Sequence, residues 1–217
     1  MISKNLVEVK KNIPSNVTLI AVSKTKPPHL IEEAYLAGQR HFGENKVQEL
    51  ALKYEQLPKD IKWHLIGHLQ TNKVKYIAPF VYLIHSVDSE KLLLEIDKQA
   101  QKNKRIIDVL LQFHIAQEES KFGLSMDECK GLLKNFSSLL NTRIIGVMGM
   151  ASFVENEDQI RNEFITLRNI FNNLKSEYFY DAPYFSTLSM GMSGDYSLAI
   201  EEGSTMVRVG SAIFGTR

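Results

Sequence analysis

A single cysteine, Cys129, occurs among 217 residues. One thiol cannot form an internal disulfide, so no covalent staple supports this fold, and the usage matches a reducing, cytoplasmic setting. Cys129 is also poorly placed as a nucleophile, because it falls in the helix-period stretch SMDECKGLLKNF with no activating base assignable beside it. Long apolar runs are missing as well. No stretch approaches the ~18 consecutive apolar residues of a membrane span, and the N-terminal MISKNLVEVKKNI has no apolar core long enough for a secretion signal. Nor does one sign of charge dominate. The 26 basic and 25 acidic residues leave a net +1, which offers no electrostatic case for nucleic acid or membrane as partner. The basic stretch KQAQKNKR at 98–105 reads as a solvated helix end. No G-x-G-x-x-G follows the first apolar run, which removes the usual dinucleotide-binding version of an open α/β sheet. No linker, low-complexity block or second compositional regime divides the chain, so residues 1–217 are expected to form one domain.

What is present is regular. Apolar β-type runs fall at 17–23, 62–67, 81–87, 106–115, 142–150 and 205–214, with weaker ones at 40–44 and 183–190. Helix-period segments lie between them: HLIEEAYLAG, KVQELALKYEQL, TNKVKYIA, SEKLLLEIDKQAQKNK, SMDECKGLLKNFSSLL, EDQIRNEFITLRNIFNNLK and DYSLAIEEG, after a first helix over 2–12. Thr71, Ser89 and Ser125 are expected to cap three of them. Strict alternation of strand and helix implies a parallel sheet with helices outside. Runs such as IIDVLLQF are apolar on both faces, as a doubly covered sheet requires. Eight repeats favour closure, so the expected fold is a (β/α)8 TIM-type barrel preceded by an N-terminal helix.

In such a barrel, binding sites form at the C-terminal ends of the strands. The stretch LIAVSKTKPPHL then becomes informative, because a core strand ends on Lys24. Lysine is seldom buried and its ammonium is costly to dehydrate. A solvated strand-end amine is the plain reading. At the rim of a binding mouth, the same amine can attack a carbonyl and form a Schiff base. Lys26, just before Pro27, reads as an exposed loop residue. Near the other end, in TMVRVGSAIFGTR, alternation directs Val207 and Val209 to the helices and Arg208 to the barrel interior, where a guanidinium needs partners. The Gly/Ser-rich STLSMGMSGDY (186–196) precedes a short helix. Ser193 and Gly194 there, with Gly210–Ser211 and Gly215–Thr216 in the last loop, can offer donors to an anion, although ordinary turns share this composition.

Other constellations carry less. His64 and His68 stand four apart, but KWHLIGH reads as strand and loop, so helical metal-ligand spacing does not apply and no metal is expected. His85 and His114, at strand ends, read as rim or satisfied core histidines and not as a proton relay. Glu44 lacks a convincing partner for paired acid chemistry.

The blocks AVSKTKP, FGENKVQE, WHLIGHLQTNK, HSVDS, ESKFG and LSMGMSGDYSLAIEEGSTMVRVGSAIFGTR, in this order, resemble the pyridoxal 5′-phosphate (PLP) homeostasis proteins, single-domain relatives of the N-terminal barrel of alanine racemase. The segment before strand 1 is short for that family, and VMGMASF departs from its usual turn. The resemblance implies PLP as cofactor, carried by Lys24 as a Schiff base. It implies Arg208 at the pyridine nitrogen, and Ser193 with Gly194, Gly210 and Ser211 at the phosphate. Asn45, His64, Gly67 and Met148 would line the pocket. A cationic arginine disfavours protonation of the ring, whereas catabolic PLP enzymes place a carboxylate there. The implied function is therefore PLP binding in intracellular cofactor and amino-acid homeostasis, with no catalytic residues and no dedicated reaction. A PLP-dependent racemase is the alternative. It is disfavoured because the sequence ends at Arg217, soon after the eighth strand, without a second tyrosine-bearing domain. Amino acids or PLP-dependent client enzymes are the implied partners, and a monomer or weak dimer the implied state.

Overall fold

Eight parallel strands close on themselves in chain order, β1 to β8, with β8 pairing back onto β1. The computed structural model describes residues 1–117, 122–134, 136 and 139–215. In order, the elements are α1 (Ile2–Lys11), β1 (Thr18–Val22), α2 (Pro28–Leu36), β2 (His41–Glu44), α3 (Val47–Gln56), β3 (Lys62–Leu65), a 3-10 turn (Thr71–Lys73) running into α4 (Val74–Ile77), and β4 (Leu83–Val87). There follow α5 (Glu90–Lys102), β5 (Ile107–Gln112), α6 (Met126–Leu133), β6 (Thr142–Met148), α7 (Glu157–Glu177), β7 (Thr187–Ser189), α8 (Tyr196–Glu201), β8 (Met206–Val209) and α9 (Ser211–Phe214). The expected (β/α)8 barrel with its leading helix is the observed architecture.

Two apolar layers hold it. The larger lies between strands and helices and takes the outward side chains, among them Leu19, Ala21, Phe42, Trp63, Leu65, Val207 and Val209. The smaller fills the barrel itself with Ile20, Leu83, Leu110, Met148 and Met206. Alternation along each strand produces this division. In β8, Met206 joins the inner set, the valines join the outer one, and Arg208 lies in register with inward Ile20.

Capping follows the hydroxyls only in part. Ser89 Oγ accepts from Leu92 N, and Ser125 forms a reciprocal capping box with Glu128. Thr71 does not cap: the turn begins after Gln70, without a side-chain bond. The run at 205–214 is not one strand either. The strand stops at Val209, and Ser211–Phe214 coil into α9, which buries Ile213 and receives a bond from α1 through Asn5 Nδ2 to Ile213 O at 3.0 Å. A short apolar run carries no period that separates strand from buried helix, and the neighbouring α1 decides. Helix α6 ends at Leu133, earlier than its period suggests; residues 135, 137 and 138 of that segment lie outside the described residues. Among the described residues, no helix is long and apolar enough to cross a membrane.

Candidate functional site

At the C-terminal ends of the strands the barrel opens into a cavity of about 820 Å³. Eight of the ten residues expected to bind the cofactor line it: Lys24, Asn45, Gly67, Ser193, Gly194, Arg208, Gly210 and Ser211. Their elements explain the meeting. Lys24 follows β1, Asn45 follows β2, Gly67 follows β3, the 193–194 turn follows β7, and Arg208 to Ser211 run from β8 into α9. His64 and Met148 do not line the cavity. Both are fully buried inside the barrel: Met148, although it ends β6, packs into the inner apolar layer, and His64 lies one residue before the end of β3 with its ring against His85. Thr216 and most of ESKFG (residues 119–121) lie outside the described residues.

Lys24 is half-buried, and among the described residues its amine has no hydrogen-bond or ion-pair partner. The loop that carries it is held from behind. Thr25 adopts a left-handed φ of 64°, uncommon for a residue other than glycine. Thr25 N donates to Glu49 Oε1 at 2.6 Å, and Lys26 N to Ser23 O at 3.0 Å. Lys53, from α3, lies behind them: its Nζ donates to Ser23 O (2.8 Å), Glu44 Oε1 (2.8 Å) and Glu49 Oε1 (2.7 Å). Ser23 Oγ donates to Glu44 Oε1 as well, at 2.6 Å. Glu44 is therefore ion-paired with a buried ammonium, a structural pairing and not one for paired acid chemistry. Burial still pushes its carboxyl upward, against the opposing pull of Lys53 and Ser23. Lys26 is not the exposed loop residue its position suggests. It is half-buried, and its Nζ reaches the carbonyls of Phe214 (3.3 Å) and Gly215 (3.0 Å).

Arg208 is 4% exposed. Its Nη1 donates to Ser189 O (3.0 Å) and Ser189 Oγ (2.6 Å), and its Nη2 to Gly149 O (3.0 Å). Among the described residues, no carboxylate touches it. Desolvation lowers the guanidinium to about 10, with Asp195 pulling the other way. Asp195 Oδ1 accepts from Met192 N at 2.5 Å, and burial raises its carboxyl. Ser193 Oγ accepts from Gly210 N at 3.0 Å, which ties the β7 and β8 loops together. Two glycines are required by close approach. A Cβ on Gly67 would lie 2.4 Å from Asn45 O. One on Gly191, at a φ of +96°, would lie 2.6 Å from the Ala199 Cβ.

At the rim, His68 Nδ1 lies 3.4 Å from Asp88 and the ring stacks on Phe122. His64 and His68 thus diverge, one in the core and one at the mouth. Among the described residues, no group of three or more metal-ligating side chains gathers. Cys129 is buried, and desolvation pushes its thiol up to about 12, which leaves it inert as a nucleophile.

Lys53, Glu49 and Ser189 were not singled out from the sequence. Lys53 had a signal: it interrupts the inward stripe of α3, Val47 and Leu50, at helical spacing. Ser189 had none beyond its place on β7.

All 217 residues match the family model of the alanine racemase N-terminal domain. The pyridoxal phosphate homeostasis protein of Aquifex aeolicus (strain VF5) is 44% identical over 92% of this chain and 86% of its own. That of Escherichia coli (strain K12) is 36% identical over 100% and 97%. The solved structure of PipY from Synechococcus elongatus PCC7942, with PLP bound, is 37% identical, with a TM-score of 0.89 over 99% of this chain and 100% of that one. On this evidence the chain belongs to the pyridoxal phosphate homeostasis protein family, within the wider family of alanine racemase N-terminal domains.

Proposed function

We propose that the chain binds PLP in the mouth cavity, attached through Lys24 Nζ, and serves cytoplasmic PLP and amino-acid homeostasis without a dedicated catalytic reaction. One observation carries this reading: an amine and a buried guanidinium that, among the described residues, have no partner and no carboxylate respectively, and a Ser/Gly turn rich in N–H groups, line one cavity. That donor set fits the cofactor, and relatives carry the matching name or hold PLP.

Bound PLP supplies an aldehyde open to amines and a ring that can draw electron density. Lys24 Nζ is the nucleophile toward that aldehyde. Arg208 is cationic at neutral pH and opposes protonation of a ring nitrogen beside it. The Ser193 hydroxyl and the backbone N–H groups of Gly194, Gly210 and Ser211 suit a phosphate. Asn45 and Gly67, from the loops after β2 and β3, also line the cavity. The other titratable side chains on the described lining are Lys26, His68 and Asp195, and each is engaged: with α9 carbonyls, with Asp88 and with Met192 N. None is free to serve as a second base for proton transfer, which supports a holding role over racemisation. Amino acids and PLP-dependent enzymes are the proposed partners of a monomer or weak dimer.

The test is borohydride reduction of PLP-loaded protein followed by peptide mapping. Lys24→Ala is expected to lose the covalent adduct and remain folded, and Lys26→Ala to keep it. An adduct on another lysine refutes the assignment. L-Alanine incubated with loaded protein is expected to yield negligible D-alanine; turnover of ~1 s⁻¹ or more, ordinary for an enzyme, establishes a racemase instead.

A further inference from the structure

A chain of hydrogen bonds crosses the barrel interior beneath Arg208. Arg208 Nη1 meets Ser189 Oγ at 2.6 Å, and Ser189 Oγ meets His85 Nδ1 at 3.2 Å. His85 Nε2 meets His64 Nδ1 at 3.0 Å, and His64 Nε2 meets His41 Nδ1 at 2.9 Å. The links come from β8, β7, β4, β3 and β2. They run from the mouth cavity, which Arg208 lines, to a cleft at the N-terminal floor, which His41 lines with Lys10 and Arg40.

The direction of every proton follows from its first member. A guanidinium can only donate. Ser189 Oγ therefore accepts from Arg208, and among the described residues the sole acceptor in reach of its own proton is His85 Nδ1. The opposite polarity strands a buried hydroxyl proton, at a cost of ~1–3 kcal/mol. With Nδ1 bare, His85 carries its proton on Nε2 and donates to His64 Nδ1. His64 is then protonated on Nε2 and donates to His41 Nδ1, which leaves His41 Nε2–H at the floor. Each ring turns its lone pair toward Arg208 and its N–H away.

We infer that Ser189, His85, His64 and His41 form a tautomer-locked column of positioning residues, polarised by Arg208, that orients the guanidinium toward the mouth and stabilises its charge without a counter-ion. A carboxylate in Ser189's place would cancel that charge. Neutral rings with lone pairs aligned toward it do not. The surroundings keep the rings neutral. Lys62 and the Tyr82 ring lie against His41 and His64, Arg40 and Lys10 share the floor cleft with His41, Arg208 and Ser189 face His85, and Asp195 acts on Arg208. Burial lowers His64 and His85 well below the ordinary value, and His41 to about 4.

The column stands on the protein's own geometry; its bearing on a pyridine ring rests on the proposed function. The test is ¹⁵N NMR of imidazole-labelled, cofactor-free protein at pH 7.5, with resonances assigned by single His→Gln variants. His41, His64 and His85 are expected as neutral Nε2–H tautomers. In Ser189→Ala the lock is cut, and His85 and His64 are expected to show Nδ1–H population; Ser189→Thr, which keeps the hydroxyl, restores the pattern. Should Ser189→Ala not fold, Arg208→Met poses the same question. A wild-type Nδ1–H or cationic signal from any of the three rings, or tautomers unmoved in the cut variant, overturns the column. With PLP, Ser189→Ala is expected to raise the dissociation constant roughly tenfold, about the weight of one hydrogen bond, and Ser189→Thr to recover it. Equal affinity for wild type and Ser189→Ala overturns the positioning role. The NMR pattern without any PLP uptake keeps the column and refutes the cofactor reading alone.

Discussion

Two buried cations stand on opposite faces of the barrel wall, and the protein treats them differently. Lys53, on the outer face behind the Lys24 loop, is closed off by Glu44, Glu49 and a carbonyl. Arg208, on the inner face, has two carbonyls and a hydroxyl, with neutral imidazoles beyond them. A charge paired with carboxylates holds the fold and has little left to offer a ligand. A charge stabilised by neutral dipoles remains available to one. The difference separates a cation neutralised within the fold from one that keeps its charge at similar burial.

The largest effect should come from removing the paired cation. Lys53→Met strands two carboxylates, one of them fully buried, and is expected to lower unfolding free energy by ~3–5 kcal/mol in urea titrations. Arg208→Met in the cofactor-free protein is expected to change stability by no more than ~1 kcal/mol, since the lost hydrogen bonds are offset by relief of desolvation. Equal losses would end the distinction.

Acidification sharpens it next. His41, His64 and His85 are held below the ordinary 6.5, chiefly by burial. Below that value the unfolded chain takes up protons that the folded chain refuses. Their contribution is therefore complete above pH 6.5 and shrinks as pH falls toward about 4, the value for His41. Each neutral ring adds at most ~1.4 kcal/mol per pH unit to the slope. Burial raises Glu44, which works in the opposite sense. His41→Asn should flatten the stability curve between pH 7 and 5, and an unchanged slope would place the acid sensitivity elsewhere.

A last test leaves stability untouched and concerns binding at the open charge's neighbouring loop. Ser193→Ala is expected to weaken PLP by ~1.5–3 kcal/mol, the range for a hydrogen bond to a charged group, and to spare pyridoxal, which lacks the phosphate. Calorimetry with both ligands decides, and equal weakening moves the phosphate away from Ser193.

Much of this was readable from residue order. Alternation placed Arg208 inside and its valine neighbours outside, and a lysine at the end of an apolar strand marked the mouth. Where reading by period failed, the reason was length or distance. Four residues are too few to distinguish α9 from a strand, and only the packing of α1 settles it. His64 and Met148 carry no mark of depth, because depth in a barrel depends on strand stagger and not on spacing along the chain.

The chain by itself determined the eight-fold alternation, the absence of covalent staples and the identities at the strand ends, all encoded in local period and residue type. Only the tertiary structure decided which buried polar groups meet. His41, His64, His85, Ser189 and Arg208 lie on five strands and become neighbours through barrel closure. Lys53 finds Glu44 because α3 folds back over the strand it follows. A hydrogen bond depends on distance and direction across the fold, and no local pattern specifies either.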